Sequence, residues 1–364
     1  MGLREYIGKR AVDSIVLFIV TVIFNFILFR LMPGDPTLAI LGTRGQFDPD
    51  FILELRAKYG LDKPVLPLIQ SVNPLTFSSD LNSLLDNQFI IYLQHLIPIV
   101  NGQLFPDLGT STLFYPRSVG DIIFSYRLLN TIILMGASIF ISFIIAIIIG
   151  TLAASKFRSK TDITSIIINL TSYSTPVFWV GMLIIVIFFR ELGWIPLSGA
   201  PRMEEYNTLD INLIIFVIPI PIEWALDYFH HMLGPLITLT ISFVGGWFLL
   251  ARDQMLGIFT EDYMMTARAK GLPTRRVLFT HARKNAMLPM ISVLAVAMTY
   301  LVSGATLTET VFVWDGIGLL TINAVVNADY PLLQGLFMIV AAVAIMANFV
   351  ADVIYAFLDP RIRY

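Results

Sequence analysis

Cysteine is absent from the 364 residues, which removes disulfide frameworks, thiol nucleophiles, Cys zinc sites and iron–sulfur clusters together. Charge is scarce too: 24 Lys and Arg against 26 Asp and Glu make 14% of the chain, where soluble domains carry about 25%. A formal net charge of −2 gives no basic surface that could follow a phosphate backbone, so nucleic acid is excluded as a partner. The phosphate-cradling loop of nucleotide hydrolases is missing, since Gly8-Lys9 lacks both the first glycine and the following hydroxyl. The HExxH metalloprotease pair, the Gly-x-Ser-x-Gly elbow and the dinucleotide fingerprint are missing as well. Histidine occurs only four times. Glu223, Asp227, His230 and His231 could share a helix face, which allows a metal site; their neighbours Trp224 and Tyr228 favour an aromatic interfacial belt facing water.

What fills the chain is apolar residues, at 56%, and they come in runs. A hydrocarbon core takes about 20 mostly apolar residues in helical form, because every backbone group must be satisfied within the segment. Six runs qualify, at about Ala11 to Met32, Leu128 to Ala154, Ile163 to Phe189, Met232 to Ala251, Ala286 to Leu307 and Leu333 to Phe357. The first is too long for a signal-peptide core and lacks a small-residue cleavage site, so it reads as a retained anchor. The sequence thus predicts an all-α polytopic membrane protein with six transmembrane helices.

Fifteen of the 24 Lys and Arg lie in the first few residues, the loops after spans two and four, and the last residues. That bias predicts cytoplasmic termini, as an even span count requires. Three regions follow: an N-terminus with its first helix (1–33), a large extracytoplasmic insertion (34–127) and a core of spans two to six (128–364). Within the insertion, Asp50 to Tyr59 reads as a short helix stopped by Gly60, and the Ser/Asn-rich run Ser71 to Asn87 as a surface insertion. The run Ile211 to Ile222 is too short to span, is broken by Pro219 and Pro221, and reads as an outer interfacial segment.

Ionisable residues inside spans are expensive and point to function. The only acids that qualify are Asp13 and Asp352, and both lie close enough to the inner face to reach the headgroups. A secondary transporter would need buried acids and inverted repeats, and neither is present. The stretch Thr171-Ser172-Tyr173-Ser174-Thr175-Pro176, with Phe178 and Trp179, is polar or aromatic at mid-span. It admits a translocation path through Ser172, Tyr173, Ser174, Phe178 and Trp179, or plain helix packing.

The loop at 252–285 is the most informative. Seven of its residues are basic, and Tyr263 to Lys270 has a helical composition with small residues that allow close approach by a partner. Gly271 supplies a stop, Leu272 a fold-back contact, and Pro273 suits the first turn of a second helix. Helix, glycine, helix in a basic loop predicts a protein-docking element.

Asp262-Tyr263-Met264-Met265-Thr266-Ala267-Arg268-Ala269-Lys270-Gly271-Leu272, followed by Arg275-Arg276-Val277-Leu278 and His281 through Pro289, resembles the ATPase-coupling motif of binding-protein-dependent ABC importer permeases. More narrowly, it is similar to the first permease of the dipeptide/oligopeptide/nickel class. Arg30-Leu31-Met32-Pro33-Gly34-Asp35-Pro36, Leu55-Arg56 through Pro64, Ser174 through Gly181, Glu309-Thr310-Val311-Phe312, Asp329-Tyr330-Pro331 and Leu358-Asp359-Pro360-Arg361 extend the likeness along most of the chain. It departs from the general importer motif in carrying Met265 where an acidic residue opens that motif, and in an 18-residue interval between Gly271 and Pro289. Both are normal for the peptide class.

The resemblance implies a type I ABC importer permease fold in the plasma (inner) membrane, a second homologous permease, two cytoplasmic ATPase subunits and an extracytoplasmic substrate-binding protein. Nucleotide and magnesium would sit on the ATPases, and this chain would hold no cofactor or metal and catalyse nothing. The coupling helix would comprise Tyr263, Thr266, Ala267, Arg268, Ala269, Lys270, Gly271 and Leu272. Ala267, Ala269 and Gly271 would meet the ATPase groove, with Arg268 and Lys270 at its rim. Peptides are the expected solute, with oligosaccharides or a nickel chelate as alternatives.

Overall fold

The computed structural model describes residues 3–31, 53, 62–63, 65, 86–97, 106–197, 199–201, 212–215, 218–273, 276–301 and 305–358. Most of them are helical. In chain order these are α1 (Leu3–Leu31), α2 (Gln88–Leu96), α3 (Val119–Phe124), α4 (Tyr126–Ser155), α5 (Lys160–Ser174) and α6 (Val177–Ile184), the last running on as π-helix over Ile185–Glu191. A hairpin of β1 (Asn212–Ile215) and β2 (Ile218–Pro221) leads into α7 (Ile222–Phe259). Then come α8 (Asp262–Ala269), a π-helical segment Val277–Ala282, α9 (Arg283–Ala297) with a 3-10 turn Met298–Leu301, α10 (Thr306–Val311), α11 (Ile317–Val326) and α12 (Tyr330–Leu358).

Four helical stretches among the described residues are long and apolar enough to cross a bilayer: Glu5–Arg30, Val119–Ser155, Ile222–Phe259 and Tyr330–Val353. They cover the expected first, second, fourth and sixth spans. The expected third span is not one straight helix. It breaks into α5 and the α6 run, bent by 99°. The break has a local cause: Pro176 has no N–H to donate and forces the residue before it out of the helical region, and Thr175 sits at ψ 132°. At this end of α5 the Thr171 carbonyl accepts the Thr175 N–H at 3.1 Å, the Thr175 hydroxyl at 2.7 Å and the Ser174 hydroxyl at 3.1 Å. The expected fifth span falls on the 15-residue α9, with Pro289 inside it, and on the 3-10 turn Met298–Leu301 that continues it; residues 302–304 lie outside the described set.

The run Ile211 to Ile222 holds the hairpin, so the chain is not wholly α. Its antiparallel register pairs Asn212 with Pro221 and Ile215 with Ile218. A two-stranded ribbon tolerates prolines because each strand is an edge. The short helix expected at Asp50 to Tyr59, apart from Leu53, and the motifs around Pro33 and Asp359 lie outside the described residues, as does nearly all of the Ser71 to Asn87 run. At its end, Asn87 caps α2, its side-chain oxygen accepting the N–H groups of Phe89 and Ile90.

Two compact units divide the chain: Met1–Arg10, Leu129–Leu319 and Met346–Tyr364 form one, Ala11–Leu128 and Leu320–Ile345 the other. In the second unit, buried Asn25 on α1 donates to the Tyr92 hydroxyl at 3.3 Å and to the Gln334 carbonyl at 3.1 Å. Phe26 packs edge-on against Phe89, ring centres 5.1 Å apart. Fully buried Asp329 caps α12 by accepting the Leu332 N–H and, with its other oxygen, accepts the Ser111 hydroxyl and the Leu113 N–H. Thus part of the 34–127 segment is stapled to α1 and to the start of α12. In the first unit, Leu134, Ile139, Met232, Leu236, Leu239 and Trp314 form the main apolar cluster. On α5 the exposed large side chains are Ile163, Ile167, Ile168, Leu170 and Tyr173, an apolar and aromatic outward surface, the inverse of a soluble helix.

Candidate functional site

The 252–285 loop is built from the end of α7. That helix stops at Thr260, whose N–H and hydroxyl both reach the Gly257 carbonyl, and α8 starts two residues later. Thr266 falls in its last turn, and the N–H of Lys270, just past the helix end, donates to the Thr266 carbonyl. Gly271 then takes φ +70°, with open space where a Cβ would stand, so glycine is needed there for the backbone conformation and not for room. Helix resumes by Arg276, whose N–H meets the Pro273 carbonyl at 2.8 Å.

Met264 and Ala267, three residues apart on one face, are buried with Ala154, Met255, Val277, Ala282 and Ala286, and Leu272 packs on this cluster. The outer face presents Tyr263, Met265, Thr266, Ala269, Lys270 and Gly271. Ala267 therefore does not share a surface with Ala269 and Gly271 as the motif suggested: at 8% exposure its methyl is part of what seats α8 on α7 and α9. A helix places residues three apart on one side and their neighbours on the other, and small residues carry no signal of which side that is. The Arg268 side chain lies outside the described set. Asn285 donates to the Tyr263 hydroxyl at 2.8 Å, a second tie between α8 and α9.

The candidate path residues cluster at the break. Tyr173, Phe178 and Trp179 are 60%, 39% and 51% exposed, and the Ser174 hydroxyl is spent on the Thr171 carbonyl. The Ser172 hydroxyl donates to the Ile241 carbonyl of α7. Beyond the break, Phe312 fills the space that Gly181 and Gly234 leave open: a Cβ at Gly234 would come within 2.6 Å of its ring.

Composition did not single out two buried carboxylates. Asp162, at the start of α5, takes both prongs of the Arg252 guanidinium, Nε to Oδ1 at 2.7 Å and Nη2 to Oδ2 at 2.9 Å. Glu309 is fully buried; Oε1 accepts the Thr131 hydroxyl at 2.9 Å, and Oε2 accepts the N–H groups of Gly318 at 2.7 Å and Leu319 at 3.1 Å. The carboxylate thus caps α11 from outside the helix. Burial pushes its pKa above the usual carboxylate range, outweighing the donors that favour the charged form. A Cβ at Gly316 would come within 2.5 Å of both Glu309 Oε2 and Thr131 Oγ1, so the glycines flanking Ile317 were the local sign of this cradle. Beside it, Tyr228 donates to Asn130 Oδ1 at 3.0 Å and Asn130 donates to the Asp315 carbonyl at 2.8 Å.

Tyr228 is accordingly interior and not part of a water-facing belt. Among the described residues no three His, Asp or Glu side chains are grouped to hold a metal ion; His230 Nε2 sits 2.8 Å from the Trp194 carbonyl, and His231 Nδ1 2.9 Å from that of Asp227. Of the two intramembrane acids, Asp352 pairs with Arg10 at 3.4 Å, and Asp13 is exposed.

Comparison with known proteins agrees with this architecture. The chain is 30% identical to the oligopeptide transport system permease protein AppB of Bacillus subtilis, over the full length of both. It is 32% identical to the di/tripeptide transport system permease protein DppB of Pseudomonas aeruginosa and 31% identical to the dipeptide transport system permease protein DppB of Escherichia coli K12, each over 99% of both chains. Residues 146–364 match the family described as the inner membrane component of binding-protein-dependent transport systems. With its long apolar helices, this multi-pass membrane chain belongs to that family of permeases.

Proposed function

We propose that this chain is one of two permease subunits of an ATP-driven importer that takes up di- and oligopeptides handed over by an extracytoplasmic binding protein. The observation that carries the reading is end-to-end likeness, at 30–32% identity, to three permeases whose names are those of peptide transport systems. In this reading six segments cross the plasma membrane, the α5–α6 pair and the helical run from Arg283 each counting as one, with both termini cytoplasmic and 34–127 an outer insertion. Two ATPase subunits, which bring the phosphate-cradling loops and the magnesium, dock on the 252–285 loop through Tyr263, Thr266, Ala269, Lys270 and Gly271. ATP binding draws them together, α8 is displaced, and a path beside Ser172, Tyr173, Ser174, Phe178 and Trp179 switches between faces. The chain itself makes and breaks no covalent bond.

The test is uptake by the complex purified through a tag on this chain and reconstituted with its binding protein. ATP-dependent accumulation of labelled di- and tripeptides, competed by unlabelled peptides and not by oligosaccharides or chelated nickel, is the expected result. Accumulation of an oligosaccharide or a nickel chelate instead would overturn the peptide assignment, and accumulation without ATPase subunits would overturn the importer.

A further inference from the structure

The Asp162–Arg252 pair carries an inference about how the loop and the break communicate. It is a two-pronged ion pair with side-chain exposure of 2% on Asp162 and 13% on Arg252, and a fork of that kind fixes orientation as well as distance. The surroundings are organised around it. Asp162 Oδ2 also accepts the Arg158 N–H at 2.9 Å, which Arg158 delivers from a left-handed backbone, φ +61°, a conformation unfavourable for a residue with a side chain. The Ser159 hydroxyl caps α5 through the Asp162 N–H, and the guanidinium lies 5.6 Å from the centre of the Phe157 ring.

The pair is the inner end of a continuous seam. Further along, a Cβ at Gly245 would collide with the Asn169 carbonyl and come within 2.7 Å of Tyr173 Cβ, and beyond that Ser172 bonds the Ile241 carbonyl. Positions 162, 169 and 172–173 on α5 and 252, 245 and 241 on α7 are each one helical face, matched in antiparallel order. Apolar burial gives little drive between helices in lipid, so close approach and polar contacts define such a seam. Along α7, Arg252 stands seven residues, about 10 Å, before the helix end that feeds α8. Along α5, Asp162 stands twelve residues, about 18 Å, before the helix end at Ser174, where the Thr175-Pro176 break begins.

We propose that Asp162 and Arg252 are positioning residues that lock α5 to α7 as one rigid body, so that displacement of α8 reaches the Thr175-Pro176 break instead of being lost as slip between the helices. This rests on the reading of the chain as an ATP-driven permease. Loss of the fork then separates ATP hydrolysis from movement of solute.

Arg252→Lys, which keeps the charge and loses the fork, tests this in the complete reconstituted complex. The expected result is normal assembly and retained ATPase activity, with solute moved per ATP reduced by roughly an order of magnitude. An unchanged transport-to-ATP ratio overturns the proposal. Should Arg252→Lys fail to assemble, spin labels on Thr161→Cys and Asp253→Cys in the otherwise cysteine-free chain decide the question. A constant α5–α7 distance with and without ATP supports the rigid body, and a change above about 5 Å overturns it. If the importer reading itself were wrong, the unsubstituted chain would bring no ATPase into the complex, a failure visible before any variant is made.

Discussion

Glu309 shows how much one side chain can organise. Its carboxylate gathers a hydroxyl and two backbone N–H groups, all of which would be stranded in an apolar setting without it. Glu309→Ala should therefore cost about 3 kcal/mol, read as a fall in thermal midpoint in detergent, whereas Glu309→Gln, which still offers an oxygen to the two N–H groups, should cost within about 1 kcal/mol. Because burial raises the Glu309 pKa in the folded chain, the protonated form is favoured by folding. Its stabilising contribution is complete below the unfolded value near 4.5 and is lost as pH rises through the elevated folded value. The midpoint of the native chain minus that of Glu309→Gln should accordingly decrease from pH 4 towards neutrality; an increase would mean that the donors outweigh burial. Little of this was legible beforehand. Thr131 and Glu309 are 178 positions apart, and Asp162 and Arg252 are 90 apart. Each of the latter two stood at a span boundary, where charges are ordinary. What could be read was local, in Gly316 and Gly318 crowding one acidic residue.

For whole elements, legibility followed length. α1, α4, α7 and α12 were plain because an apolar run of about 20 residues has one solution in lipid. The 99° break was not, although Pro176 was in view, since a proline inside a span normally frees a carbonyl without turning the chain so far. α8 was legible as a helix but not in its facing. Its inward and outward sides now make separable predictions. Ala267→Glu should put a charge into the cluster of Met255 and Met264 and cost about 3 kcal/mol or more, seen as loss of folded protein. Ala269→Glu, on the exposed side, should leave folding intact and weaken ATPase co-purification. At Gly271, Asn should be tolerated and Val should cost about 1–2 kcal/mol, because only the backbone conformation selects glycine there. Equal yields for Ala267→Glu and Ala269→Glu would contradict the inward placement of Ala267.

At the scale of the whole molecule, absent cysteine makes topology directly measurable. Single cysteines at Lys156, Asp253 and Lys270 should be labelled by an impermeant maleimide only in inside-out vesicles, and one at Tyr115 or Arg117 only in right-side-out vesicles. The opposite labelling would invert the proposed orientation. One dimension of α7 bears on how the chain meets a bilayer. Its 38 residues make a rod of about 57 Å, nearly twice a hydrocarbon core of about 30 Å. Bilayers of different thickness, a few ångströms apart between lipid compositions, therefore shift where the lipid boundary crosses the rod without leaving it short. The helix is in this sense built with tolerance for hydrophobic mismatch, because its length and not the lipid fixes where the 252–285 loop begins.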